Sequence, residues 1–79
     1  MNPSGKIGRQ HSMPEISVNG EKMKIKEGQT IDALIQQLGL DSKWVVAELN
    51  HKALTKKEYA QIILSDGDSL ELVRAVSGG

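Results

Sequence analysis

Few residues of this chain could take part in chemistry. The sequence has no cysteine, which excludes disulfides, thiolate metal sites and a cysteine nucleophile. His11 and His51 have no cysteine or second histidine near them, so we predict no metal site. What remains is the C-terminal sequence Ser77-Gly78-Gly79. A terminal glycine has no Cβ atom, which leaves the acyl carbon of the chain's carboxylate open to attack and lets the backbone enter a narrow channel.

Length and composition predict one small domain. With 79 residues, 38% of them hydrophobic and 25% charged, the chain should fold around an aliphatic core while leaving about 40% of its unfolded-chain surface exposed. Ten basic and ten acidic residues cancel, so we do not expect nucleic acid as a partner. No apolar run approaches the roughly 20 residues that cross a bilayer, and no secretory signal is recognisable, so we expect no membrane association and a cytoplasmic location.

The first half of the chain predicts a β-hairpin followed by a helix. Apolar and polar residues alternate over 15–18 and again over 22–26, and the Asn19-Gly20 between them is typical of a two-residue type I′ turn. Thr30 is a good helix N-cap, and Gly39 supplies a left-handed C-terminal stop. The apolar residues between them have the spacing of one helix face; they are Ile31, Leu34, Ile35 and Leu38.

The second half predicts shorter elements separated by turns. In order, these are a strand over 44–49 closed by Asn50-His51, a helical turn over 55–60 with capping-box spacing, a brief edge strand over 62–64, and a final strand over 69–76 after the turn Asp66-Gly67-Asp68. Together the elements predict an α+β domain with one main helix on one face of a mixed sheet of four to five strands.

The domain boundaries follow from composition. Residues 1–13 are rich in Pro, Ser and Gly and cannot bury enough apolar area to fold, so we predict a flexible N-terminal tail. It is either a natural extension or a remnant of an expression vector, with Met13 as an alternative start. We assign residues 14–76 to the folded domain and residues 77–79 to a flexible C-terminal tail that carries the function.

The chain resembles the ThiS family of sulfur carrier proteins of thiamine biosynthesis. The matching segments are ISVNGEKMKIKEGQTIDALIQQLGL, VVAELNHKAL and DGDSLELVRAVSGG, which together span nearly everything from Glu15 onward. The resemblance is specific because four features occur in the same order. They are an Asn-Gly hairpin, a Glu-Gly-x-Thr helix start, an Asp-Gly-Asp turn and a terminal Gly-Gly. It implies the ubiquitin-like β-grasp fold, in which the first and last strands are parallel neighbours at the sheet centre.

The resemblance also implies a function. In such carriers an adenylyltransferase related to ubiquitin-activating enzymes uses ATP to join AMP to the terminal carboxylate, a sulfur donor protein replaces the AMP, and thiazole synthase receives the resulting thiocarboxylate. The residue that matches the modified position is Gly79. The chain would then be a protein cosubstrate rather than an enzyme. We expect no cofactor on the chain itself, because the partner would bind the ATP.

A short tail implies a docking surface close to it. Three residues reach only about 10 Å, so a partner that binds Gly79 through Val76, Ser77 and Gly78 must also contact the folded domain. Val73 interrupts the apolar and polar alternation of the last strand. It either faces away from the helix and forms an exposed apolar patch with Val46, or a β-bulge returns it to the core.

Two other functions remain open at this point. The small subunit of molybdopterin synthase has the same fold and ending, which would keep the chemistry and change the pathway. A ubiquitin-like binding module or protein modifier would use the fold without sulfur chemistry.

Overall fold

In the computed structural model, which describes residues 13–75, the Asn19-Gly20 dipeptide forms the first turn. Asn19 has φ of 52° and Gly20 has φ of 86°, the pair of positive values that a type I′ turn requires. The turn joins β1 (Glu15–Val18) to β2 (Glu21–Lys24) in antiparallel register, with Val18 opposite Glu21. The predicted hairpin is confirmed.

The predicted main helix, α1, runs over Ile31–Gln37, between the predicted N-cap and the predicted glycine stop. The Thr30 hydroxyl accepts a hydrogen bond from the backbone N–H of Ala33 at 3.1 Å, and Gly39 has φ of 78°. Leu38 departs from the predicted apolar face, since it is 40% exposed. The helix ends one residue earlier, and Leu38 is its C-cap. The other three residues of that face are fully buried; they are Ile31, Leu34 and Ile35.

The third strand, β3, spans Val45–Leu49 and has two neighbours that the sequence did not predict. Ser42–Trp44 form a 3₁₀ helix, so Trp44 precedes the strand instead of starting it. After the turn at Asn50-His51 the chain forms β4 (Lys52–Ala53), which pairs antiparallel with the end of β3. A strand of two residues is too short to show a periodic pattern.

The remaining elements follow the predicted order. The second helix, α2 (Lys56–Tyr59), has the predicted capping box at its start. The expected edge strand over 62–64 is reduced to an isolated bridge between Thr30 and Ile63. The last strand, β5, spans Ser69–Arg74, and its predicted extension to Val76 lies outside the described residues. So do the predicted tail over 77–79 and all of the predicted tail over 1–13 except Met13.

The five strands form one mixed sheet in the order β2-β1-β5-β3-β4. The last strand is central and parallel to β1, as the family resemblance implied, and it is antiparallel to β3 on its other edge. The core lies between the sheet and its two helices. The buried residues of the core are Ile16, Ile25, Ile31, Leu34, Ile35, Val45, Ala47, Tyr59, Leu64 and Leu70. Within residues 13–75 no helix has the length and apolarity to span a bilayer.

Candidate functional site

The candidate site begins where β5 ends. The backbone N–H of Ala75 donates to the carbonyl oxygen of Trp44 at 2.6 Å, which continues the pairing one step past Arg74 opposite Val45. Residues 76–79, which include every predicted tail residue, lie outside the described part of the chain. Four residues can reach at most about 14 Å beyond Ala75. Any group that acts on Gly79 must therefore come close to this end of the sheet.

Tyr59 of α2 fixes the strand that pairs with the end of β5. Its hydroxyl donates to the carbonyl oxygen of Val45 at 2.7 Å and accepts from the N–H of Ala47 at 3.0 Å. These two backbone groups lie on the edge of β3 that β4 is too short to cover, since β4 pairs only with Glu48 and Leu49. The tyrosine is 2% exposed, so its hydroxyl satisfies polar groups that water would otherwise have to reach.

Lys56, one turn earlier in α2, holds the 3₁₀ helix in the same way. Its ammonium donates to the carbonyl oxygens of Ser42 at 2.7 Å, Lys43 at 3.1 Å and Val45 at 2.8 Å. The ammonium of Lys56 lies at the C-terminal end of the 3₁₀ helix, where a positive charge suits the dipole of that helix. The capping-box sequence predicted α2 but not these contacts, because they join segments more than ten residues apart.

A valine pair, Val46 and Val73, is exposed on the outer face, which we define as the face of the sheet opposite α1. The two residues are directly opposite each other in β3 and β5, and are 45% and 61% exposed. The register between these strands is continuous, without a bulge. Of the two alternatives for Val73, the exposed position is therefore correct and the β-bulge is wrong.

A glutamate pair, Glu48 and Glu71, lies next to the valine pair on the outer face. The two residues are also directly opposite each other, and both are exposed. Because side chains alternate between the two faces along a strand, Glu71 lies on the same face as Val73. The position of Glu48 opposite it depends on the register between β3 and β5, which no local pattern in the sequence determines.

An open groove of about 350 Å³ lies at the end of β5, beside Arg74 and Ala75. Its lining includes Leu40, Trp44, Arg74 and Ala75. Trp44 is 50% exposed, so it is a rim residue, whereas Tyr59 belongs to the core. Among residues 13–75, no three His, Cys, Asp or Glu side chains come together in a way that could hold a metal ion.

The ThiS family model matches residues 15–79, which covers the described domain and the predicted tail. Among curated relatives, the sulfur carrier protein ThiS of Bacillus subtilis is 34% identical over 81% of this chain and 98% of its own length. That of Escherichia coli is 29% identical over 82% of this chain and 98% of its own length. The crystal structure of the thiamine biosynthesis protein ThiS from Geobacter metallireducens matches with a TM-score of 0.71 and 25% identity, covering 82% of this chain and 99% of that one.

Longer proteins also contain a similar segment. A thiazole synthase of Paramagnetospirillum magneticum is 38% identical over 82% of this chain, and one of Magnetococcus marinus is 29% identical over the same share. The match spans only 20% of the length of each of these two relatives.

Proposed function

The chain belongs to the ThiS family, and from this premise we propose that it is a sulfur carrier that delivers sulfur for thiazole formation in thiamine biosynthesis. The observation that carries the proposal is the match to the family over residues 15–79, which includes the terminal Gly78-Gly79 after a central strand. Two relatives matched over nearly their whole length are named sulfur carrier protein ThiS, which favours this function over the molybdopterin pathway and over a binding module.

The proposed chemistry takes place on the terminal carboxylate of Gly79. A carboxylate is a poor electrophile, because its charge repels nucleophiles and its oxygens are poor leaving groups. A carboxylate oxygen therefore attacks the α-phosphorus of ATP bound to an adenylyltransferase, and pyrophosphate leaves. A persulfide sulfur on a donor protein then attacks the acyl carbon and AMP leaves. A thiol attacks the donor-side sulfur of the resulting acyl disulfide, which forms a disulfide with the donor and releases the thiocarboxylate on the carrier. The chain is the cosubstrate in these steps, and its partner binds the ATP.

The outer face supports the docking half of this proposal. Gly79 can reach only about 14 Å past Ala75, so an enzyme that binds the tail also covers the sheet near the end of β5. The valine pair supplies exposed apolar area there. We therefore assign Val46 and Val73 to the partner surface, and residues 76–78 to the segment that the partner's channel binds.

The partners of the carrier follow from the same premise. The thiazole synthases that contain a similar segment support thiazole synthase as the acceptor of the sulfur. The adenylyltransferase and the sulfur donor are inferred from the chemistry, because the carboxylate needs activation and the chain has no cysteine to supply sulfur. We propose that these reactions take place in the cytoplasm.

Intact-mass measurement tests the proposal directly. The purified chain is incubated with ATP, the adenylyltransferase of the same organism and a sulfur donor. We expect one oxygen to be replaced by sulfur, and fragmentation to locate the exchange at Gly79. An active adenylyltransferase that leaves the mass of the chain unchanged would contradict the carrier function.

Deletion of Gly79 provides the matched variant. The deletion removes the reacting carboxylate from its position, so thiocarboxylate formation should be lost. Because Ser77, Gly78 and Gly79 have no apolar side chain to bury, we expect the melting temperature to stay within about 2 °C of the wild type. A large fall in melting temperature would show that the terminus is part of the packed structure.

A further inference from the structure

We propose that the glutamate pair, Glu48 and Glu71, is a charge-recognition site for thiazole synthase, which would present arginine or lysine side chains to it. This inference rests on the proposed function and adds a determinant of partner specificity to it. Both glutamates lie beside the valine pair, on the face that the short tail requires a partner to cover.

The arrangement of the two glutamates is unfavourable for the isolated domain. Side chains directly opposite each other in neighbouring antiparallel strands have Cβ atoms about 5 Å apart, and like charges in such a pair repel. Each carboxylate lies on an exposed position of a strand at or next to the sheet centre. Folding alone gives no reason for this pairing, since an uncharged polar residue would fit equally well at either exposed position.

The neighbouring lysines on the sheet do not neutralise the pair. Lys52 is opposite Leu49, so it shares the core-side face with that leucine and lies across the sheet from Glu48. Its charge acts instead on Glu58 of α2. Lys22 and Lys24 are on the outer face, but on β2, which is two strands or about 10 Å from β5. At physiological ionic strength that distance exceeds the screening length of about 8 Å.

The glutamate and valine pairs together have the anatomy of a protein docking surface. An apolar centre bordered by charged groups is typical of protein interfaces, in which the charges set orientation and partner choice. A partner with cationic side chains at this border would relieve the repulsion between Glu48 and Glu71 when it binds. A partner with an acidic border would be excluded by the same pair.

Thiazole synthase is the occupant that the comparisons favour. Two relatives of that name contain a segment similar to this chain, so domains of this kind occur together with the synthase in one protein. The adenylyltransferase would dock near the same tail, but none of the relatives described above is named an adenylyltransferase. The two enzymes can be separated by measuring each step with the same carrier variants.

The test compares two double variants of the full chain. Glu48→Gln with Glu71→Gln removes the pair and keeps the shapes of the side chains, whereas Glu21→Gln with Glu27→Gln removes the same net charge from exposed positions outside the pair. Each variant is converted to the thiocarboxylate and assayed with the thiazole synthase of the same organism at low and high salt. We expect the Glu48 and Glu71 variant to raise KM about tenfold at low salt with kcat unchanged, and to weaken the salt dependence of KM.

The control variant should change KM by less than about twofold. The Glu48 and Glu71 variant should keep or slightly raise the melting temperature, because a repulsion is removed. If both variants raise KM equally, or the glutamine pair leaves KM unchanged, the charge-recognition site is refuted while the carrier function stands. If only adenylation is impaired, thiazole synthase is the wrong partner. If the wild type itself gains no sulfur, the proposed function fails together with this inference.

Discussion

The two faces of β5 carry opposite kinds of side chain. Leu70 is fully buried and Leu72 packs partly against the core, on the side that α1 covers. Glu71 is exposed and Val73 is 61% exposed on the outer face. One strand therefore contributes to the core with alternate residues and to the proposed docking surface with the residues between them.

The difference follows from the place of β5 in the sheet. It is hydrogen-bonded to β1 on one edge and to β3 on the other, which fixes its backbone and register. Side chains on the outer face can then vary without a large loss of stability, because they have little packing to lose. Substitutions on the two faces should therefore separate stability from partner binding.

Leu70→Ala should have the largest effect on stability. Leu70 has no exposed surface, so the substitution leaves a cavity at the sheet centre and should lower the free energy of unfolding by about 2 to 5 kcal/mol. For a domain of this size that is a large part of the total. Chemical denaturation provides the measurement, with Val73→Ala as the control that should change stability by less than about 0.5 kcal/mol. Equal losses for the two variants would contradict the division between the faces.

Tyr59→Phe tests how much the tyrosine hydroxyl stabilises β3 from the core. The substitution keeps the ring in the core but leaves the N–H of Ala47 without its hydrogen-bond partner, because the hydroxyl supplied it at 3.0 Å. The loss should be about 1 to 3 kcal/mol, which corresponds to a fall in melting temperature of several degrees. A matched exposed aromatic, Trp44→Phe, should change the melting temperature little, since Trp44 is 50% exposed. An unchanged melting temperature for Tyr59→Phe would mean that water replaces the hydroxyl.

Val73→Thr tests the outer face. Threonine keeps the branched shape and strand preference of valine while adding a hydroxyl, so stability should change by less than about 0.5 kcal/mol. Loss of apolar contact should weaken partner binding about fivefold, measured as the KM of the thiocarboxylated carrier. Ile63→Thr is the control, because Ile63 is 57% exposed but lies at the bridge to Thr30, away from β3 and β5. The docking assignment fails if both variants bind equally well.

The sequence predicted those parts of the fold that local chemistry determines. Asn19-Gly20 required a two-residue turn, and Thr30 with Gly39 set the limits of α1 closely. The capping box placed α2 within a residue. Short segments were predicted less well. The strand β4 was missed, because its two residues carry no period, and the strand predicted over 62–64 forms only a bridge.

The candidate site was only partly predictable, for a different reason. The exposure of Val73 and its pairing with Val46 depended on whether the strand register was continuous, and the sequence left two alternatives. The opposition of Glu48 and Glu71 and the contacts of Tyr59 join residues distant in the chain. Residue types and spacing suggest such partners, but only the packed sheet determines which of them meet.

The smallest expected effect concerns how the stability of the domain depends on pH through Glu58 of α2. The N–H of Thr55 donates to the Glu58 carboxylate at 2.8 Å and its hydroxyl does so at 3.2 Å; these bonds lower the pKa of Glu58 from its ordinary value of 4.5. The folded state therefore holds this proton more weakly than the unfolded state. The stabilisation is complete above pH 4.5 and is lost as the pH falls through the lower folded pKa.

Glu58→Gln makes this effect measurable, because glutamine does not titrate and the rest of the chain is unchanged. The wild type should melt at a slightly higher temperature than the variant at neutral pH, and the difference should shrink below pH 4.5. The shift is small because the carboxylate is open to solvent and its interactions are screened. Partner binding at neutral pH should be the same for both proteins, since Glu58 lies in α2 and not on the outer face. A difference that grows in acid would reverse the sign of the linkage and show that the capping bonds do not favour the charged carboxylate.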